Sequence, residues 1–295
     1  MKYRSKLLIL SCIALCTSIA NAQNVEPPKV NQETKPLLRL CTAQAGNNYY
    51  NAGQRIAKAL VQAIDVKVIE TKGSWENLET MSSSRPRCDA ILAQDDAVAL
   101  HRFQNEESKL AMDRMTSLFE EKTHLLCNRK VTATKLSEVK PGSVAIFTNE
   151  YGSGSYITWH VMSKLNPRYR AHNPTEKGLD EALLSLLDNQ EPACLFYVSR
   201  QGGKTLNRAN QNFGDRLKLI ELSDARLEQR VDRLQRKLYR PSKIEQSSYP
   251  NLLDGTIDTL SVNAVFFLNS DWKARHPEGT KKLSDTLLDV LSQIK

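Results

Sequence analysis

The chain has 295 residues, 40% hydrophobic and 25% charged, with a formal charge of +8 at pH 7. That composition describes a globular chain with ample core. Setting aside Lys2, Arg4 and Lys6 at the N-terminus leaves roughly +5, too mild and too dispersed an excess to indicate a nucleic-acid surface.

The first residues read as an export signal. Three cations precede the apolar run Leu7 to Ile19, and Ala20-Asn21-Ala22 supplies an A-x-A site before Gln23. This predicts a signal peptide over 1–22, cleavage after Ala22 and a periplasmic location. The run is too short for a membrane span, and no later stretch is long and apolar enough to be one. Leu15 precedes Cys16 where a lipoprotein signal needs a small residue, which disfavours a lipid anchor. Residues 23–36, polar and carrying Pro27, Pro28 and Pro36, read as a flexible leader.

From Leu37 the chain alternates strand and helix patterns. Leu37 to Cys41 is a buried strand, and Ile56, Ala57, Leu60, Val61 and Ile64 recur at helical spacing. Val66 to Glu70 is a second strand, Ser74 a helix start, and Ala90 to Ala93 a third strand leading through Gln94-Asp95-Asp96 into another helix. The alternation predicts a parallel, doubly wound sheet with its ligand crevice at the carboxyl ends of the strands. The pattern then restarts. Thr123 to Cys127 and Val144 to Thr148 are strands around a turn at Leu136 to Gly142, and helices follow through Ile157, Val161 and Leu165 and over Leu179 to Leu187. Ala193 to Ser199 and Leu217 to Leu222 are further strands. Leu227, Val231, Leu234 and Leu238 give the basic stretch Arg226 to Arg240 the spacing of an amphipathic helix. Thr259 to Leu268 is a strongly apolar strand, and Leu283, Leu287, Leu288, Leu291 and Ile294 mark a closing helix. Two α/β units, with the last strand and helix returning to the first, predict lobe 1 over 37–127 plus 258–295 and lobe 2 over 128–257, with a hinge between them.

Two short loops stand out, Ala45 to Gly53 and Tyr151 to Tyr156, each following a strand and opening a helix. Small residues there let a ligand approach the backbone, and the first N–H groups of a helix have no intrahelical partner. Asn47, Asn48, Ser153 and Ser155 can donate hydrogen bonds, and Tyr49, Trp75, Tyr156 and Tyr197 can supply apolar walls with polar tips. Asp95 suits an ammonium group or serves as a helix N-cap, and Arg200 can pair with a carboxylate or lie on the surface.

Enzyme chemistry finds little support. Gly152-Ser153-Gly154-Ser155 is not a G-x-S-x-G elbow, since Tyr151 and Ser155 occupy the flanking glycine positions. His101, His124, His160, His172 and His276 show no metal-ligand spacing, and neither catalytic residues nor a cofactor are indicated. Cys41, Cys88, Cys127 and Cys194 remain after export and contain no C-x-x-C. They allow disulfides in any of three connectivities, or four buried free thiols.

Taken in order, these motifs resemble the TAXI family of periplasmic solute-binding proteins, the receptors of one class of TRAP transporters. The resemblance rests on Ala45 to Tyr50, Gly73-Ser74-Trp75-Glu76-Asn77-Leu78, Asp89 to Asp96, Gly152 to Ser155, and Tyr249-Pro250 followed by Thr259 to Ala264. Asn47-Asn48 replaces the usual Gly-Thr, and Ser155 replaces Thr. The resemblance implies a two-lobed α/β periplasmic-binding-protein (type II) fold, each lobe a doubly wound sheet flanked by helices, with a ligand cleft between the lobes. It further implies capture of a small organic acid or amino acid, glutamate-like or dicarboxylate, and delivery to a TRAP-type membrane permease. Its contact set would be Asn47, Asn48, Tyr49, Ser74, Trp75, Gln94, Asp95, Gly152, Ser153, Gly154, Ser155, Tyr156 and Tyr197. The alternative is a binder-fold protein that acts as a sensor or envelope-complex subunit through another envelope protein.

Overall fold

Two long strands organise the molecule. In the computed structural model, which describes residues 35–104, 110–188, 190–232 and 235–294, β4 covers Met112–Asn128 and β10 covers Ile257–Asn269. They run antiparallel, Ser261–Asn269 against Lys122–Met112, with register shifts at Ala264/Val265 and Phe266/Phe267. The expected signal peptide, Cys16 and residues 23–34 of the leader lie outside the described residues.

Each long strand changes partners along its course. On one side β10 pairs with β3 (Ala90–Gln94), which lies beside β1 (Leu37–Cys41) and then β2 (Asp65–Ile69). On the other side the far end of β4 pairs with β7 (Ala193–Ser199) and β8 (Leu217–Ile220), the near end of β10 with β9 (Arg240–Ile244), and β7 leads to β5 (Ala145–Thr148) and the short β6 (Thr175–Glu176). The result is one mixed ten-stranded sheet. β1, β2 and β3 are parallel as expected, but β4 and β10 run antiparallel through the middle, so the sheet is not purely parallel. The exchange of partners falls at Lys122–Thr123 and Leu260–Ser261. There Thr123 Oγ1 and Thr259 Oγ1 lie 2.8 Å apart, both buried, and Thr259 Oγ1 donates to the Thr123 carbonyl.

Helices cover both faces, as a strand buried on two sides requires. In β3, Ala90 and Leu92 face a core built with α1 (Asn48–Leu60) and α10 (Pro277–Ile294), while Ile91 and Ala93 face α2 (Ser74–Ser82) and α3 (Asp95–Gln104). That second core continues past β4 into the Ile157, Trp159, Val161 and Met162 face of α4 (Gly154–Leu165). A third core lies between the far sheet, α6 (Leu179–Asp188) and α7 (Lys204–Phe213). The described residues also form the short helices α5 (Pro167–Ala171), α8 (Ala225–Glu228) and α9 (Ser270–Arg275).

Two expectations are corrected. The strand at Thr123–Cys127 extends back to Met112, through polar residues that mask its character. Arg226 to Arg240 is not one amphipathic helix: α8 stops at Glu228, Val231 bridges back to Lys237, and Gln235 takes a left-handed φ of 61°. Leu227 and Leu238 are both buried, but from opposite arms of a chain reversal, and Leu234 lies outside the described residues.

The cysteines are bonded in two pairs, Cys41–Cys88 beside β1 and β3, and Cys127–Cys194 across directly opposed positions of β4 and β7. The bridges are 47 and 67 residues apart in sequence. Loop closure of that size restricts the unfolded chain by about 4 kcal/mol each on the chain-entropy account. Replacing either pair by alanine should lower the denaturation midpoint by a comparable stability, measured by guanidinium unfolding; an unchanged midpoint would contradict this.

Candidate functional site

Because β1, β2 and β3 are parallel, the loops at their carboxyl ends open on one edge of the sheet. Across from them, β5 ends at Thr148 and the loop Asn149–Ser153 leads into α4. Between the two lies a cleft of about 660 Å³.

The Tyr151–Ser155 loop owes its shape to specific residues. Gly152 takes φ +80°, a left-handed conformation that favours glycine. Ser153 then caps α4, its Oγ accepting from Tyr156 N at 3.2 Å. Gly154 is a point of close approach: a Cβ there would stand 2.9 Å from Gln94 Oε1, so the α4 terminus rests directly on the end of β3. Ser155 Oγ accepts from Val198 N at 2.9 Å, tying the loop to β7. Both serine oxygens accept bonds within the fold and retain a hydroxyl hydrogen to donate. Ser153, Gly154, Ser155 and Tyr197 all line the cleft.

On the facing side Asn47, Tyr49, Ser74 and Gln94 line it. Asn47 Oδ1 caps α1 through Tyr49 N at 3.0 Å. Ser74 is the first residue of α2, and its Oγ accepts from Gln94 N at 3.2 Å instead of capping the helix. The remaining expected residues stand outside the lining. Asn48 opens α1 beside its cap. Trp75 is buried behind the loop, Nε1 donating to Glu79 Oε1 at 2.8 Å and its ring against His101 and the Gly152 backbone. Gly152 shapes the turn. Tyr156 packs between the rings of Tyr151 and His160. Asp95 points away, ion-paired with Arg114 at 3.1 Å and accepting from Asn263 Nδ2, so it supplies no anion to the cleft.

Two carboxylic residues line the cleft, Glu150 in the loop before α4 and Glu121 on β4; the buried one, Glu121, is the residue that sequence reading missed. It is only 7% exposed, and its Oε2 accepts from Tyr49 OH at 3.0 Å and from Gln94 Nε2 at 3.2 Å. Burial pushes its carboxyl up to about 7, with those two hydrogen bonds working against the shift. Arg200, half-buried with its guanidinium over the Phe119 ring at 5.1 Å, is a nearby cation. Nearby, Asp96 is fully buried between α3 and α4, accepting from Thr158 Oγ1 at 2.8 Å and Tyr239 OH at 3.0 Å. Burial raises it to about 6. Both carboxyls therefore hold protons more tightly in the folded chain than in the unfolded one. The stability each contributes is complete below its ordinary value, 3.8 for Asp96 and 4.5 for Glu121, and is lost as pH rises through about 6 and about 7 respectively.

Among the described residues no group of three or more His, Cys, Asp or Glu is arranged to hold a metal, and no helix is long and apolar enough to cross a membrane. Polar groups from two facing edges converge on a space sized for a small solute. Since Ser153 and Ser155 both act within the fold, Ser153→Ala with Ser155→Ala should cost about 2 to 3 kcal/mol without any ligand, one lost cap and one buried N–H left unpaired. Calorimetric melting should show a midpoint lowered by about 4 to 10 °C; no change would contradict the structural bonds.

The chain is similar to solved solute-binding structures at low identity. Lactococcal OpuAC in its closed-liganded conformation with glycine betaine aligns with a TM-score of 0.50 and 11% identity, over 88% of this chain and 91% of that one. The periplasmic aliphatic sulphonate binding protein SsuA from Escherichia coli aligns with a TM-score of 0.51 and 10% identity, over 88% and 75%. At such identity the likeness carries the fold alone, and that fold is the α/β periplasmic-binding-protein fold. No curated protein sequence matches the chain. The model of the NMT1-like family matches residues 40–278. A match over most of its length makes this chain a member of the NMT1-like family.

Proposed function

We propose that the protein is an exported solute-binding protein that captures a small organic acid or amino acid in the cleft and delivers it to a membrane transporter. The observation that carries this reading is the cleft itself: the ends of β1 to β3 face the N-terminus of α4 across about 660 Å³, with polar groups from both sides. The capping of Tyr156 N by Ser153 leaves the first N–H groups of α4 to the cleft, a favourable environment for a carboxylate.

The lobes in this reading are 37–127 plus 258–295 and 128–257, and residues 1–22 are the signal peptide. The exchange of strand partners at Lys122–Thr123 and Leu260–Ser261 supports a pivot near those boundaries. Ligand bridging both lobes shifts the population toward a closed form that the transporter recognises. Two buried disulfides fit an oxidising, periplasmic compartment. The order of motifs resembling TAXI receptors favours a TRAP-type permease as the membrane partner.

A thermal-shift screen of the purified protein against amino acids and mono- and dicarboxylates tests the reading. A solute present at a hundred times its dissociation constant should stabilise the protein by about 2.7 kcal/mol. No stabilisation by any member, together with stable co-purification of an envelope protein, would favour the adaptor alternative instead.

A further inference from the structure

Lys72 and several hydroxyls supply donors to the cleft, but two acceptors in its lining are buried with no donor. Gln94, 2% exposed, leaves Oε1 without a hydrogen-bond partner, and Asn149 Oδ1 is likewise buried without one. Both residues line the cleft. Glu121 accepts its two bonds at Oε2 alone, leaving Oε1 uninvolved in either. The two buried acceptors, Gln94 Oε1 and Asn149 Oδ1, are costly unless a donor arrives. A dicarboxylate has no N–H to offer and would bring a second negative charge beside Glu121. A protonated amine has three N–H groups and the opposite charge.

We infer that the solute is a zwitterion carrying a primary ammonium and a carboxylate, the ammonium taken by Glu121 and the Gln94 Oε1 atom, the carboxylate by the α4 N-terminus. This rests on the solute-binding reading above and adds to it the class of ligand and the residue that selects it. Gln94 joins the two ends of the ligand, since its amide donates to Glu121 through Nε2 and also lies against Gly154 at the start of α4. Asp95 cannot serve as the anion, because Arg114 and Asn263 occupy it.

The groups around Glu121 set the consequence for pH. Tyr49 on α1 and Gln94 on β3 donate to it, Asp96 on α3 repels its charge, and Arg200 after β7 attracts it. Without ligand Glu121 titrates near neutrality. An ammonium beside it favours the charged form, so binding releases a proton below about pH 7 and affinity rises as pH approaches that value from below.

The test is isothermal titration calorimetry of the whole mature chain with matched probes: L-glutamate against glutarate, L-alanine against propionate, and putrescine as an amine lacking a carboxylate. The same probes are applied to Glu121→Gln. The inference expects an amino acid to bind about ten- to a hundredfold more tightly than its desamino analogue, and putrescine to bind weakly. It expects Glu121→Gln to abolish that preference and the proton release, read as a dependence of the heat on buffer ionisation. The ligand-free variant should meanwhile melt at the same or a higher temperature at pH 8, because a buried charge is gone. A variant that weakens binding only by unfolding would lower that midpoint. Glutarate or propionate binding as tightly as its amino acid, putrescine binding as tightly as either, or an unaltered preference in Glu121→Gln would overturn the inference and leave solute binding intact. No heat and no stabilisation with any probe or any member of the solute screen would overturn the solute-binding reading itself.

Discussion

The pairing of β4 with β10 is the constraint on which the rest of the molecule depends. Two strands of 17 and 13 residues run through the whole sheet and exchange partners near its middle. Sheet on one side and sheet on the other are thereby one hydrogen-bonded object. The bonded hydroxyls of Thr123 and Thr259 lie where the exchange occurs. Glu121 stands two positions from Thr123 on the same strand, so the cleft floor and the exchange of partners are parts of one element.

The helical face adds a second restraint. One core runs from α2 and α3 into α4, so the two halves share buried apolar surface as well as strands. Asp96 is the polar exception inside it, held by Thr158 and Tyr239. The contact of Gly154 with Gln94 then brings the α4 terminus against the end of β3. With this face packed, the open space lies on the side of the strand ends, which is where polar side chains collect.

How legible this was depends on what each residue faces. Leu37–Cys41 and Ala90–Ala93 could be read because a strand covered on both sides is a nearly unbroken apolar run, with Arg39 the one interruption. Met112–Lys122 could not, because Asp113, Arg114, Thr116, Ser117, Glu120 and Glu121 interrupt any simple periodicity while the backbone still pairs with β10. Glu121 was lost with that strand. Its one visible trace was a carboxylate among Leu118, Phe119 and Leu125, a position where a charge needs a purpose. Asp95 has the charge for an ammonium group and sits at the end of β3, but neighbouring side chains diverge: Asp95 turns to Arg114 and Asp96 turns inward to α4. The Gly152 to Ser155 loop was legible because its turn, cap and close approach each demand a particular residue. That Ser155 Oγ already serves Val198 was not, since β7 lies far away in sequence.

Hydrogen exchange read peptide by peptide, with and without a solute that stabilises the protein, tests the central claim most directly. A solute held between the two edges slows exchange on both sides of the cleft at once, at Asn47–Tyr49 and at Gly154–Tyr156, with little change on the outer faces of α6 and α10. Protection confined to one side, or placed away from both loops, would contradict a solute held between them.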